Sequence, residues 1–312
     1  MAASTAVPVK QKITNFQELR RRAQELGPKR VAVVAADDEI ALTAADGALR
    51  LGIATPVLLG DERRVRAKAE SLGLLDLIAG AQFENTDDAA TAATQIARDG
   101  GVELLLKGHL RTDELLRAVL DKQAGLRIGR LLSDVLLYED TLSGDVRLVG
   151  ITDGGLNVAP DLEQKKQIVE NAIEVMRCLG LERPRLALMS ATEAVSESLP
   201  SSVDARKLSE LGDAGHFGEV EIFGPLALDC ALLASAAEAK GIRHPVAGRA
   251  DCMVVPNIES GNLLGKSVKY LGGSQCAHVV AGAKVPILIP SRVESVDDKV
   301  NSIALGVLFA GR

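Results

Sequence analysis

The stretch RVAVVAADDEIALTAADGALRLGIATPVLLG, residues 30–60, decides the fold class. It opens on a short β-branched and Ala-rich run (30–36), passes through a segment with apolar residues at three- and four-residue spacing (38–51), and closes on a second apolar run (56–60). Short continuous apolar runs suit strands buried on both faces, whereas the three/four spacing makes a single apolar stripe on a helix. Strand, crossover helix and strand in that order predict a parallel βαβ unit. The rhythm continues outward, with ELLLK (103–107) and DVLLY (134–138) as further strands and 62–72, 88–99 and 112–122 as helices. The first part of the chain therefore reads as a doubly wound α/β unit.

A second alternating series follows. LALM (186–189), CMVVP (252–256) and PILIP (286–290) read as strands, with helices near 162–179, 203–211, 225–240 and 263–271. At 312 residues the chain exceeds the size at which one hydrophobic core keeps growing, so two domains are expected. The polar, Gly- and Pro-containing stretch 153–161 is the best internal boundary, and nothing in 282–312 reads as a linker.

Composition narrows the function classes. Aromatics make up 2% with no Trp, so the core must come from Ala, Val, Leu and Ile, and stacking platforms for single-stranded nucleic acid are not expected. A formal net charge of -6, with Lys and Arg spread along the chain, gives no basic field for a polyanion. Nucleic acid is accordingly not expected as a partner. A small anion needs only a local cluster of donors and stays open. Cys178, Cys230, Cys252 and Cys276 lie far apart without C-x-x-C spacing and are expected to be reduced. The N-terminal residues carry neither a signal-like pattern nor a membrane-length apolar run, so a cytoplasmic protein with no membrane partner is expected.

GNLLGKS (261–267) is the most tempting local motif, since it follows one strand-like run and precedes a helical one. A phosphate-cradling loop needs G-x-x-x-x-G-K-[ST], and Ser260 occupies the position of its first glycine. Two readings stay open: an anion held at a helix N-terminus, or a tight turn with Lys266 in solvent. The run 30–36 leads into Asp37, Asp38 and Glu39 instead of G-x-G-x-x-G, and these carboxylates would repel a pyrophosphate. None of His109, His216, His244 and His278 has a second ligand at helical spacing. No metal site is expected, and each histidine reads as a surface or hydrogen-bonded structural residue.

PSRVESVDD (290–298) is the strongest candidate site, placed where a strand ends and the last helix begins. Ser291 offers a neutral donor, Arg292 a forked permanent cation suited to phosphate oxygens, and Asp298 a carboxylate able to accept a proton. That trio suits acylation of a thiol. Ser295-x-x-Asp298 is also a capping-box pattern, in which Asp298 closes a helix N-terminus.

Five blocks carry a resemblance over nearly the whole chain: LLKGHLRTDELLRAVLDKQAGLRIGRLLSDV from Leu105, ITDGGLNVAPDLEQKKQI from Ile151, FGPLALDCAL from Phe223, PVAGRADCMVVPNIESGNLLGKSV from Pro245, and AGAKVPILIPSRVESVDD from Ala281. In order and spacing they resemble the phosphate acetyltransferase and phosphate butyryltransferase family, with APDLEQKKQI and GPLALD leaning toward the butyryltransferase branch. The resemblance implies two doubly wound α/β domains flanking an active-site cleft, the fold shared with isocitrate and isopropylmalate dehydrogenases. Residues 1–150 plus 285–312 would form domain one and 151–284 domain two. It implies reversible transfer of a short acyl group, acetyl or butyryl, between coenzyme A and inorganic phosphate. Acyl-CoA, phosphate and acyl phosphate would be the small-molecule partners. Coenzyme A would be a co-substrate, with no tightly bound cofactor, no metal and no enzyme-bound acyl group, and a homodimer or higher homo-oligomer is implied.

By position, Ser291 and Arg292 match the family's Ser-Arg pair and Asp298 the acidic residue of the acetyltransferase version. Asp298 would take the proton of the coenzyme A thiol, Ser291 would position the sulfur, and Arg292 would bind the phosphoryl oxygens and stabilise charge at the acyl carbon. A carboxylate at a helix N-terminus is a weak base, so Asp298 could instead orient the thiol. Lys107, Gly108, Thr112, Asp153, Asn157, Asn262 and Lys266 fall in matching blocks and are expected to bind substrate or cofactor, or else to fix turns. Three positions depart from the family pattern. Phe223 stands before GP where an acid is usual, Asn257 follows Pro256 where Asp is usual, and Gly154 replaces a cysteine common in acetyltransferases. Phe223 and Asn257 motivate the alternative of a catalytically silent acyl-CoA-binding protein on the same fold.

Overall fold

The computed structural model describes residues 11–291 and 294–311. Eleven strands form one sheet: β1 (Lys29–Val34), β2 (Ala54–Gly60), β3 (Gln82–Asn85), β4 (Leu104–Lys107), β5 (Ser133–Asp140), β6 (Arg147–Thr152), β7 (Arg185–Met189), β8 (Glu221–Leu226), β9 (Cys252–Val254), β10 (Cys276–Ala281) and β11 (Ile287–Leu288). Their order is β3-β2-β1-β4-β11-β10-β5-β6-β9-β7-β8. Strands β3, β2, β1, β4 and β11 run parallel, as the opening βαβ unit predicts. So do β6, β9, β7 and β8. Between these blocks β10 and β5 pair antiparallel with each other and with β11 and β6.

The apolar residues form a continuous core on one face of this sheet and a divided one on the other. On one face a single core runs from Ile13 and Phe16 through Val135, Ala277 and Ile173 to Phe309. On the other face the buried residues divide into one cluster around Val34, Leu105 and Ile287 and another around Leu136, Ile151 and Met253. The gap between those clusters lies over β5 and β10. Side chains alternate across a strand, so Val135, Leu137, Ala277 and Val279 enter the continuous core while Asp134, Leu136, Cys276, His278 and Val280 face the gap.

The final helix, Val296–Ala310, is buried along almost its whole length and packs against the helices Phe16–Leu26 and Glu39–Arg50 and against β10. Its hold on β10 includes a hydrogen bond from the His278 N–H to Ser302 Oγ (2.8 Å). The carboxylates after β1 are put to local use: Asp38 caps Glu39–Arg50 by accepting from the Ala41 N–H at 2.8 Å.

Some expected elements differ. The helix expected over 263–271 starts earlier, at Ile258, where the Asn257 side chain accepts from the Ser260 N–H at 2.9 Å. It ends at Lys266 and passes into a wide turn, Ser267–Leu271. GNLLGK therefore lies within a helix, where most backbone N–H groups are committed to helical partners and cannot curl around a phosphate. The helix expected over 225–240 is instead the end of β8 followed by two short helices, Leu228–Leu232 and Ala234–Ala239. Strands β3, β6, β8 and β10 are further elements: Gly150, Phe223-Gly224-Pro225 and His278 interrupt the apolar runs of the last three, and the edge strand β3 (QFEN) has no apolar run.

Candidate active site

The gap on the divided face is a cleft with two lobes. The wider holds about 440 Å³ and is lined by Lys107, Arg111, Thr112, Gly155, Leu156 and Ile289 among others. The narrower holds about 100 Å³ and reaches Leu136, Ile151, Gly265, Lys269, Tyr270 and Cys276. Ser291, Glu294, His278 and Asp134 line both, so the lobes meet at the loop after β11. The parallel strands β4 and β11 end on one wall, and the helix Ile258–Lys266 forms the other with Asn262 and Lys266 turned inward. Ligands of open α/β sheets collect at such strand ends.

Of the residues singled out in the sequence, Lys107, Thr112, Asn262, Lys266 and Ser291 line this one cleft. Arg292 lies outside the described residues. Gly108, Asp153, Asn157 and Asp298 are not among the lining residues. Gly108 sits where a Cβ would come within 2.3 Å of the Ala35 carbonyl oxygen, so it lets the chain leave β4 beside β1. Asp153 is buried and accepts from the N–H groups of Gly155 (2.8 Å), Leu156 (3.0 Å) and Asn157 (3.2 Å), which folds 153–157 into a turn. Burial and the neighbouring Asp134 push its carboxyl above the usual range. Asn157 ties the turn to the sheet by donating to the Leu132 carbonyl at 2.8 Å. These residues shape the wall on which Gly154, Gly155 and Leu156 meet the cleft.

Gly154 also explains the absence of a cysteine at that position. A Cβ on Gly154 would lie 2.6 Å from the Gly261 carbonyl carbon, and one on Gly261 would lie 2.7 Å from the Gly154 Cα. The two glycines let the wall helix and the turn touch backbone to backbone, and Asn262 Nδ2 adds a hydrogen bond to the Gly154 carbonyl at 3.2 Å.

Asp298 completes a capping box. Its Oδ2 accepts from the Ser295 N–H (3.1 Å) and Oγ (2.5 Å), and its backbone N–H donates to Ser295 Oγ (3.2 Å). Lys269 Nζ also donates to Oδ2, while Oδ1 accepts from the Cys276 N–H at 2.8 Å. Burial alone would raise this carboxyl, but the Lys269, Ser295 and Cys276 donors outweigh it and hold the group below its ordinary value. Asp298 thus ties the final helix to β10 and to the lysine of the wide turn.

The residues not foreseen sit on the cleft floor. His278 and Leu136 are paired across β10 and β5, and Asp134, two residues along β5, is a diagonal neighbour on the same face. His278 Nδ1 lies 3.1 Å from Asp134 Oδ2, and Nε2 lies 3.5 Å from Glu294 Oε1. Burial pulls the imidazole down, but the two flanking carboxylates prevail and push it up to about 9. Cys276 also lines the narrower lobe, where burial pushes its thiol up to about 12, so it stays protonated and a poor nucleophile. The available sequence signal was an ionisable residue on the inward side of each of two apolar strands, Asp134 in DVLLY and His278 in CAHVV.

The family model described as phosphate acetyl/butaryl transferase matches residues 77–307. The chain belongs to this family. A phosphate butyryltransferase of Clostridium acetobutylicum is 36% identical over 300 residues, covering 96% of this chain and 99% of the relative. A phosphate acetyltransferase of Rhizobium meliloti is also 36% identical, over 303 residues, with 96% and 94% covered. Among solved structures, a branched-chain phosphotransacylase of Enterococcus faecalis superposes with a TM-score of 0.79 at 29% identity, covering 90% of this chain and 99% of the other. The chain is an acyltransferase of this family, with the dehydrogenase-like two-domain fold that the resemblance implied.

Both remaining departures have structural uses. Phe223 stacks on His244 at 4.2 Å between ring centroids, and Asn257 is the cap of the wall helix. Neither residue is among those that line the cleft.

Proposed function

We propose that the protein transfers a short acyl group reversibly between coenzyme A and inorganic phosphate, with acyl phosphate as the other product. The observation that carries this reading is the meeting of Ser291 with Lys107, Arg111, Thr112 and Lys266 on one cleft, in a chain of this family. Three cations and two hydroxyls around one cavity suit a phosphate dianion. Arg292 is assigned to the phosphoryl oxygens and to the charge that develops at the acyl carbon, and Ser291 to holding the sulfur. The turn 153–157, fixed by Asp153 and Asn157, and the helix carrying Asn262 and Lys266 are assigned to the walls that receive coenzyme A. Asp298 is given an anchoring part, and the donors already on both of its oxygens support this. The protonated Cys276 supports direct transfer without an acyl-enzyme.

Cytoplasmic residence and a homodimer or higher homo-oligomer are proposed with the activity. Among the described residues no helix is long and apolar enough to cross a membrane. Exposed Leu263, Tyr270 and Leu271 on the segment beside the cleft suit a contact between two copies. Arsenate-dependent loss of acetyl-CoA and butyryl-CoA tests the activity. The wild type turns over, and Arg292→Ala loses on the order of 10²–10³ in kcat, the usual cost of one donor to a developing oxyanion. An inert wild type, or an Arg292→Ala equal to it, refutes the proposal. Tight coenzyme A binding beside zero turnover would favour the silent binder.

A further inference from the structure

Before sulfur can attack, its proton must leave, and Asp298, which is not itself a lining residue of the cleft, already accepts from other donors. Glu294 is differently placed. It lines both lobes at the loop that carries Ser291, and its N–H donates to the Ser291 carbonyl at 3.2 Å. Its side chain is 7% exposed, Oε1 faces His278 Nε2 at 3.5 Å, and Oε2 has no hydrogen-bond partner among the described residues. A buried carboxylate oxygen without a donor is costly and calls for one from a bound molecule. At the junction beside Ser291 the donor delivered by the reaction is a thiol.

We propose, resting on the phosphate acyltransferase reading, that Glu294 is the catalytic residue that takes the coenzyme A thiol proton, with His278 and Asp134 as its positioning residues. In the direction that makes thioester, the S–H bond breaks and its proton passes to Glu294 Oε2. The sulfur lone pair forms the S–C bond to the acyl carbon. The C–O bond to phosphate breaks with its electron pair on the phosphate oxygen, and Glu294 returns the proton to that oxygen. Acyl phosphate and thiol thus become thioester and hydrogen phosphate without a further reactant. In reverse, Glu294 receives the proton from phosphate and gives it to the leaving sulfur.

The cluster around Glu294 sets the character of this step. A thiol with a reference pKa of about 8.5 keeps its proton at neutral pH, so the proton moves to Glu294 as the C–S bond forms. His278 faces Asp134 from β5 and Glu294 from the loop, feels Asp298 from the final helix, and shares the narrower lobe with Lys266 and Lys269. The ring lies 3.5 Å from Glu294 Oε1 on one side and 3.1 Å from Asp134 Oδ2 on the other, so Asp134 fixes the imidazole and the imidazole positions Glu294.

The test is Glu294→Gln, which keeps the size and removes the proton acceptor. In thioester formation from acyl phosphate and coenzyme A, kcat is expected to fall by about 10²–10⁴ with the KM for coenzyme A within about threefold. The low-pH limb of kcat/KM is expected to disappear, and Glu294→Asp to restore part of the rate. His278→Asn should lower kcat with the KM for coenzyme A within about threefold, since the ring no longer holds Glu294 Oε1. A purely structural His278 would alter thermal stability and leave kcat in place, which would overturn its positioning role. Glu294→Gln with wild-type kcat and an unchanged limb overturns the proposal, while an inactive Arg292→Ala in the same assay leaves the acyltransferase reading standing. A wild type inert toward every short acyl phosphate overturns both. Coenzyme A binding by calorimetry shows that Glu294→Gln is folded, and Glu294→Asp carries the test if it is not.

Discussion

Asp298→Asn separates an anchor from a base. The wild-type carboxylate receives four donors: the Lys269 ammonium, the Ser295 N–H and Oγ, and the Cys276 N–H. An asparagine has one acceptor oxygen, and its amide would turn N–H groups toward other donors. Lys269, with a side chain 19% exposed, would lose its partner. Removing one member of a fully buried pair costs about 3–5 kcal/mol. The partial exposure of Lys269 reduces this, and the broken cap adds about 1 kcal/mol. A loss of about 2–4 kcal/mol is expected. With an unfolding entropy near 2.1 cal/mol/K per residue, each kcal/mol lowers the Tm of a chain this long by roughly 1.5 °C. Circular dichroism should therefore show a fall of about 3–6 °C at pH 7. Because Asp298 is held below its ordinary value of 3.8, its contribution is present above that pH and lost as pH falls through the lower folded value. The variant and the wild type should converge in strong acid. Lys269→Met placed on Asp298→Asn should recover part of the loss, as it removes the stranded cation. An unchanged Tm together with a vanished low-pH limb of activity would refute the anchor and make Asp298 the base.

Three other outcomes are expected. His278 is raised from its ordinary 6.5 to about 9, so its contribution is complete below about 6.5 and lost as pH rises through 9. At about 1.4 kcal/mol per pH unit this amounts to roughly 3 kcal/mol, and urea titrations from pH 6 to 10 should show that decline in the wild type and not in His278→Asn. Gly154→Cys places its Cβ 2.6 Å from the Gly261 carbonyl carbon, so about 1–3 kcal/mol of stability and most of the activity should be lost as the wall helix is pushed back; a fully active variant of unchanged Tm would show the contact to be yielding. If Leu263, Tyr270 and Leu271 lie between two copies, sedimentation should find a dimer that Leu271→Glu splits, whereas a monomeric wild type refutes the contact.

The parts of the fold legible in the sequence are those where local pattern and tertiary role coincide. The run 30–60 forms β1, a capped helix and β2 because its apolar spacing already matches a strand buried on both faces and a one-sided helix. β10 was illegible for the opposite reason. Its Ala277, Val279 and Ala281 serve the continuous core, while Cys276, His278 and Val280 border a cavity, and an inward-facing histidine breaks the apolar run that marks a strand. The antiparallel pairing of β5 with β6 and β10 was hidden as well, since each strand looks locally like any other. Only the sheet order makes the opposite face divide into two clusters with a cleft between them.

The candidate site repeats this division. Residues that lie on strand ends and helix starts, such as Lys107, Thr112, Lys266 and Ser291, could be picked from sequence because ligands gather at those places in any α/β sheet. Asp298 carries a legible signal too, but Ser295-x-x-Asp298 states a cap as plainly as it states an acid, and only the Lys269 and Cys276 donors separate the two. Asp134, His278 and Glu294 come from three segments that meet solely because β5 and β10 are neighbours in the sheet and the loop after β11 folds over them. No spacing within one segment can encode that meeting. Two carboxylates and an imidazole on the floor of a cavity are expensive to bury. Their placement at the junction beside Ser291 makes chemical sense where a proton must be taken from one substrate and given to another.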